Sequence, residues 1–257
     1  MTRLLRSLAS IWTWTVLVLS VLIIFPLMLL TLLATAPFDR GRYAAGRLWR
    51  YVGIIPAALN PIWHFRRSGV RITDPRRPYV VVSNHESLAD ILLISHLPWE
   101  MKWLSKAELF RIPFFGWMMQ LAGDVPIRRG FGPSAIEAMA QCRAALANHV
   151  SVMIFPEGTR SATGDLLPFK DGAFRLAIDA GVPILPLAVS GTRNALAKRG
   201  WLMGSATAEV RVLEPVQTTG LTAADVPALN ARVRAMIAEA HTTMMGELAA
   251  AAQNRVR

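Results

Sequence analysis

The stretch Tyr79-Val80-Val81-Val82-Ser83-Asn84-His85-Glu86-Ser87-Leu88-Ala89-Asp90 decides how the chain is read. Its uncharged, valine-rich start has the pattern of a strand buried on both faces. A polar, ionisable cluster follows at once, and an apolar helical pattern then runs from Ser87 to Leu97. Strand, polar turn and helix in succession are the unit of α/β architecture, which places its chemistry at the carboxyl ends of strands. His85 and Asp90 are five residues apart and would lie on different faces of one continuous helix. If His85 instead sits in the turn before the helix, the chain can fold back and bring Asp90 to its ring. The carboxylate would then fix the imidazole tautomer and stabilise the imidazolium.

The same texture continues downstream. Met101 to Leu104 and Ser151 to Phe155 read as strands, and Ala208 to Leu213 as the last one. Pro133 opens a helix to Ala147, with Ile136, Met139, Ala140 and Leu146 at helical spacing. Gly172 to Ala180 reads as a helix stopped by Gly181, and Val182 to Val189 as a Pro-containing strand. Thr222-x-x-Asp225 forms a capping box before a C-terminal helix whose apolar stripe is Leu229, Val233, Met236, Ile237 and Ala240. The expected fold is α/β over residues 66–257: a mixed, largely parallel central sheet flanked by helices.

Upstream the composition changes. Hydrophobic residues make up 53% of the chain, and none of the 32 residues between Arg6 and Asp39 is charged. A bilayer-crossing helix needs about 20 apolar residues, so Ile11 to Ala34 is long enough. A second uncharged stretch, Tyr51 to Trp63, is too short to span alone and is broken by Pro56 and Pro61. Residues 1–65 are expected to form an N-terminal membrane anchor built as a two-helix hairpin. One spanning helix followed by an interfacial helix is the alternative. A cleavable signal peptide fits less well, because its apolar core runs to only about 7–15 residues.

Charge is uneven. The net charge is +11, and residues 1–77 contribute eleven arginines and no lysine against Asp39 and Asp74. Arginine beside an apolar anchor suits anionic membrane lipids and the cytoplasmic side. The remainder is near neutral and has no nucleic-acid motif, so nucleic acid is not an expected partner. Cys142 is the one cysteine, which excludes an intrachain disulfide and agrees with a reducing compartment. The expected location is a membrane, the bacterial inner membrane, with the catalytic domain on its cytoplasmic face.

A second polar cluster follows the strand at Ser151: Phe155-Pro156-Glu157-Gly158-Thr159-Arg160-Ser161. It sets a carboxylate, a flexible glycine, a hydroxyl and a guanidinium side by side, and arginine suits bidentate phosphate binding. Lys170 and Gly172 come shortly after, a turn from Gly123 ends in Arg128 and Arg129, and Lys106 adds a further cation. Gly-x-Ser-x-Gly and Gly-x-x-x-x-Gly-Lys-Ser/Thr motifs are missing, and His85-Glu86 lacks the second histidine of a zinc protease motif. The five histidines are scattered, so neither a metal site nor a cofactor is expected. A base without an enzyme nucleophile points to direct transfer, with His85 activating the hydroxyl of the acceptor itself.

Four of these stretches, in order, resemble the 1-acylglycerol-3-phosphate acyltransferase family of glycerolipid acyltransferases. Asn84-His85-x-Ser87-x-x-Asp90 is similar to its first block and Gly123-x-x-x-Ile127-x-Arg129 to its second. Phe155 to Ser161 matches the third almost letter for letter, and Val182 to Val189 the fourth. The resemblance covers roughly residues 75–215. One departure is Arg128, where the family often has an acid. The resemblance implies that His85 is the general base and Asp90 its orienting partner. It implies acyl transfer from acyl-CoA or acyl carrier protein to the sn-2 hydroxyl of lysophosphatidic acid, giving phosphatidic acid. Asn84, Ser87, Lys106, Arg129, Glu157, Gly158, Thr159 and Arg160 become candidate substrate-binding residues, Lys106 through its Lys-x-Glu-Leu setting. Backbone N–H groups near Glu157-Gly158-Thr159 are candidate oxyanion donors, and an apolar tunnel is expected for the acyl chain. The alternatives are another lyso-lipid acceptor, such as lyso-ornithine lipid or a lysophospholipid with a larger headgroup, a non-catalytic lipid-binding membrane protein, and a secreted hydrolase.

Overall fold

The computed structural model describes residues 3–161, 163–196 and 200–254. Two helices come first, α1 (Arg3–Thr35) and α2 (Tyr43–Ala58). An alternating body follows: β1 (Trp63–Gly69), β2 (Val80–Ser83), α3 (Ala89–Ser95), β3 (Met101–Lys106), α4 (Phe115–Ala122), β4 (Val125–Ile127) and α5 (Gly132–Ala147). It continues with β5 (Ser151–Ile154), α6 (Gly172–Ala180), β6 (Ile184–Ser190), β7 (Ala206–Val212) and α7 (Val226–Asn254). The strands form one sheet in the order β1-β7-β6-β2-β5-β3-β4. Every neighbouring pair is parallel except β6 with β7. The five strands from β6 to β4 therefore end at the same edge, with β2 and β5 side by side near its middle.

The period-two alternation of β2 explains its central position. Val80 and Val82 face one layer with Cys142 and Leu146 of α5, Phe174 of α6, and Val233 and Ile237 of α7. Val81 faces the other with Leu93 and Ile94 of α3 and Trp103. Cys142 lies in the first layer, where burial pushes its thiol up to about 12 and makes it inert. The capping box at Thr222 and Asp225 forms as expected, closing a short 3₁₀ turn ahead of α7.

Three elements escaped the sequence reading. β1 carries the polar run His64-Phe65-Arg66-Arg67-Ser68 because it is an edge strand, paired only with β7 and buried at Trp63 alone. It also begins before the boundary expected at residue 65. α4 lies where no element was expected and β4 within the stretch read as a turn; Gly123, at φ +80°, makes the turn between them. β4 is only three residues long, too short for its periodicity to register.

The N-terminal helices are joined to the body rather than hung from it. Ile24 and Met28 of α1 pack with Ala45, Trp49 and Val52 of α2 and Met118 and Met119 of α4. Farther forward on α1, Ser10 Oγ accepts the Met203 N–H at 2.8 Å, and Thr13 Oγ1 accepts from Asn60 Nδ2 at 2.9 Å. The opposite face is bare: Leu19, Leu22, Ile23, Leu27 and Leu30 are exposed. Among the described residues α1 is the one helix long and apolar enough to cross a membrane.

Two of the arginines that follow the apolar stretch are engaged within the fold. Arg50 is buried and pairs with Asp124 at 2.5 Å and Glu100 at 3.2 Å. Lys102, also buried, reaches Glu100 at 3.2 Å and donates to the Arg42 carbonyl at 2.9 Å. Two cations thus balance two carboxylates in a closed cluster that fastens α2 to β3. Arg47 donates to the carbonyls of Leu97 and Trp99 at 2.9 and 3.2 Å. The charge pattern was correct, but salt bridges and carbonyls within the fold claim these side chains.

Candidate active site

The loop after β2 is held at both ends by side chains that imitate backbone. Asn84 Nδ2 donates to the Val189 carbonyl and Asn84 Oδ1 accepts the Val189 N–H, both at 2.8 Å, prolonging the pairing of β2 with β6. The chain then doubles back into α3. Asp90, in its first turn, gathers the preceding loop: Oδ2 accepts the N–H groups of Glu86 at 2.7 Å and Ser87 at 2.9 Å. Ser87 Oγ accepts the Ala89 N–H and donates to the Leu196 carbonyl.

The same Asp90 Oδ2 lies 2.7 Å from His85 Nδ1. Asp90 is fully buried and His85 only 7% exposed. An acceptor-only carboxylate at this distance puts the ring proton on Nδ1 and leaves the lone pair on Nε2. The imidazole is also sandwiched: it stacks on the Phe155 ring with centroids 3.9 Å apart and planes 15° from parallel. Asp90 sets its rotation, and Phe155 its tilt.

The loop after β5 grips the main chain of His85 on both sides. Glu157 Oε1 accepts the His85 N–H at 2.9 Å, and the Ser161 N–H donates to the His85 carbonyl at 3.0 Å. Burial pushes the Glu157 carboxyl up to about 7, against the hydrogen bonds it accepts from the His85 and Leu167 N–H groups. Gly158 sits at φ +71°, and a Cβ there would come within 2.9 Å of Lys170 Nζ. Its own N–H is spent on the Phe155 carbonyl at 3.0 Å, which removes it from the candidate oxyanion donors.

Beside Phe155 and Gly158 opens a cavity of about 420 Å³, within the usual range for small-molecule sites. Leu104, Ile127, Phe131, Met139 and Ile154 supply apolar lining, and Arg128, Arg129 and Lys170 line the same space. A basic pocket with apolar walls thus adjoins the ring that stacks on His85.

Residues 64–190 match the Acyltransferase family profile. The 1-acyl-sn-glycerol-3-phosphate acyltransferase beta of Homo sapiens is 39% identical over 191 residues, covering 72% of this chain and 69% of that protein. The chain belongs to the 1-acyl-sn-glycerol-3-phosphate acyltransferase family. A second human relative, 1-acyl-sn-glycerol-3-phosphate acyltransferase alpha, is 44% identical over 162 residues, which are 62% of this chain and 57% of that one. The matched part therefore falls short of two thirds of some relatives. The crystal structure of the 1-acyl-sn-glycerophosphate (LPA) acyltransferase PlsC from Thermotoga maritima shares the fold. Its TM-score is 0.76 at 23% identity, over 95% of this chain and 98% of the other.

Of the residues picked from sequence, the fold brings His85, Asp90, Asn84, Ser87, Glu157, Gly158 and Arg129 to one sheet edge. The polar atoms of Asn84, Ser87 and Glu157 are engaged with the protein's own backbone. Thr159 is exposed and Arg160 half-buried, next to the Ser161 that holds His85. Lys106 ends β3 on the same edge, but its half-exposed ammonium pairs with Glu108 at 3.5 Å. Phe155, Lys170 and Thr192 join the site without having been singled out as its residues. Phe155 opens the recognised third block and Lys170 follows it, so both could have been taken with it. Thr192 donates to Asp90 Oδ1 from 102 residues away, a distance at which no spacing rule operates.

Proposed function

We propose that this protein transfers a fatty acyl group from an acyl thioester to the sn-2 hydroxyl of lysophosphatidic acid, yielding phosphatidic acid. The observation that carries this reading is the His85–Asp90 pair, held at 2.7 Å beside a cavity lined by apolar side chains and cations. The names of the family relatives agree with it.

In the step this geometry supports, His85 Nε2 takes the proton of the acceptor hydroxyl. The hydroxyl oxygen attacks the thioester carbonyl and forms a tetrahedral oxyanion. Collapse breaks the carbon–sulfur bond, and the departing thiolate takes the proton from the imidazolium. Asp90 holds the tautomer and stabilises the imidazolium while it exists. No enzyme nucleophile is needed. Asn84, Ser87 and Glu157 act here as scaffold, fixing the loop that carries the base. Arg129, Arg160 and Lys170 bind the acceptor phosphate, and the apolar cavity takes an acyl chain. Acyl-CoA and acyl carrier protein present the same thioester, and the net charge of +11 favours either anionic carrier.

The membrane reading follows from α1. The helix is about 50 Å long at 1.5 Å per residue, and it touches the body through Ser10 and Met203 in its first part and through Phe25 and Phe114 past its middle. These contacts support a hairpin of α1 and α2 embedded in one leaflet, with the bare face of α1 in lipid and the active site at its surface.

The test is an assay of the purified full-length protein with lysophosphatidic acid and each donor, with product identified by mass spectrometry. Lyso-ornithine lipid, which lacks phosphate, is run in parallel. Phosphatidic acid formation that needs His85 supports the reading; acylation of lyso-ornithine lipid alone would replace it.

A further inference from the structure

A carboxylate that orients a base must itself be held, and Asp90 is held from outside its own loop. Its Oδ2 is occupied by His85 Nδ1 and by the N–H groups of Glu86 and Ser87. Its Oδ1 accepts the hydroxyl of Thr192, which follows the end of β6. Gly191 makes that turn at φ +89°, in a place where a Cβ would lie 2.2 Å from the Thr207 carbonyl oxygen. Glycine is therefore required to aim Thr192 back at the dyad.

A hydroxyl has one proton, and two carboxylates flank this one. Glu86 Oε2 also lies 3.3 Å from Thr192 Oγ1. The competition is relieved from α7, where buried His241 places Nε2 at 2.6 Å from the other oxygen, Glu86 Oε1. A charge-assisted bond of that length answers the Glu86 carboxylate and leaves the Thr192 proton to Asp90. His241 thus donates to Glu86, Thr192 to Asp90, and His85 to Asp90. The titratable groups facing the dyad are then Glu86 on its own loop, Glu157 on the loop after β5, and His241 on α7.

We infer that Thr192 is a positioning residue for the His85–Asp90 dyad, and that the Glu86–His241 pair keeps its hydroxyl directed at Asp90. This role rests on the proposed acyl-transfer function, in which Asp90 must present one fixed oxygen to the imidazole. Without the hydroxyl, Oδ1 of a fully buried carboxylate loses its donor. The carboxylate turns more freely, and its charge is less well stabilised, so the dyad takes up a proton at higher pH.

The test compares the full-length protein with Thr192→Val and Thr192→Ser. The rate with lysophosphatidic acid and acyl-CoA is followed over pH in mixed micelles, and the His85 ring is titrated by NMR in the same micelles. Thr192→Val should lower kcat about tenfold at nearly unchanged KM. It should also move the acid limb of the rate profile and the His85 titration together to higher pH, by about 0.5 or more. Thr192→Ser should restore both, and His241→Ala should give a smaller shift in the same direction. The inference is overturned if Thr192→Val leaves both curves in place. It is equally overturned if activity falls with the thermal midpoint, the His85 titration stays put and serine does not rescue. The NMR titration does not depend on turnover, so it judges Thr192 even if lysophosphatidic acid is the wrong acceptor. Full activity in His85→Ala would instead remove the acyl-transfer mechanism itself.

Discussion

Glu157 accepts the main-chain N–H of His85 at 2.9 Å, so a carboxylate from the third sequence block holds the histidine presented by the first. The two blocks lie far apart in the chain and meet because β2 and β5 are parallel neighbours whose carboxyl ends share an edge. Burial, working against this bond, gives Glu157 a titration of its own. It pushes the carboxyl up to about 7 in the folded protein, against the ordinary 4.5 of a glutamate. Between those values the folded chain holds a proton that the unfolded chain has lost, so this group makes stability fall as pH rises from 4.5 to about 7. Glu157→Gln keeps an acceptor for the His85 N–H and removes the charge. Its thermal midpoint should fall less than that of the wild type between about pH 5 and about pH 8. Equal slopes in the two proteins would show that Glu157 is already ionised at low pH.

Asp90→Asn tests the tautomer. An amide nitrogen at Oδ2 would face N–H groups it cannot accept and would turn the imidazole to the wrong proton arrangement. We expect kcat to fall about a thousandfold or more with KM little changed. Comparable losses in KM alone would make Asp90 a substrate-shaping residue.

Arg50→Met tests the closed charge cluster. Removing one cation leaves Glu100 and Asp124 buried with Lys102 alone. The expected cost is about 3–5 kcal/mol of stability, seen as a large drop in thermal midpoint. Gly46→Ala should act on the same cluster, because its Cβ would lie 2.2 Å from Glu100 Oε1. A midpoint within a degree or two of wild type in both variants would rule out the cluster as the fastening of α2.

The two faces of α1 should respond differently to charge. Leu19 and Ile23 are 50% and 60% exposed, so replacing both by aspartate should leave the protein folded while sharply reducing its recovery with liposomes in flotation. Met28 is fully buried against α2 and α4, and Met28→Asp should unfold the N-terminal layer. Undiminished flotation of the Leu19/Ile23 double variant would place the lipid contact on another surface.

Much of this was legible in the sequence, for identifiable reasons. Buried parallel strands announce themselves as short valine-rich runs, so β2 and β5 could be placed together with the polar clusters that end them. The turn geometry of His85 and Asp90 could be stated because five residues exclude a continuous helix as the means of contact. What escaped was determined by partners distant in the chain. Edge strand β1 reads as polar because β7 covers one side of it. Arg50 reads as a headgroup ligand until Glu100 and Asp124 fold over it. Thr192 and His241 carry no local pattern at all, since their meaning depends on β6 ending, and α7 passing, beside the loop that leads into α3.

The most direct measurement is the turnover of His85→Ala, purified at full length, with lysophosphatidic acid and an acyl thioester. In the proposed mechanism the imidazole contributes its Nε2 to the reaction, and its side chain gives the fold only stacking and one hydrogen bond. The variant should therefore keep its thermal transition and its association with liposomes and form no phosphatidic acid above the uncatalysed rate. Near wild-type product formation by that folded, membrane-bound variant would contradict the assignment of His85 as the base.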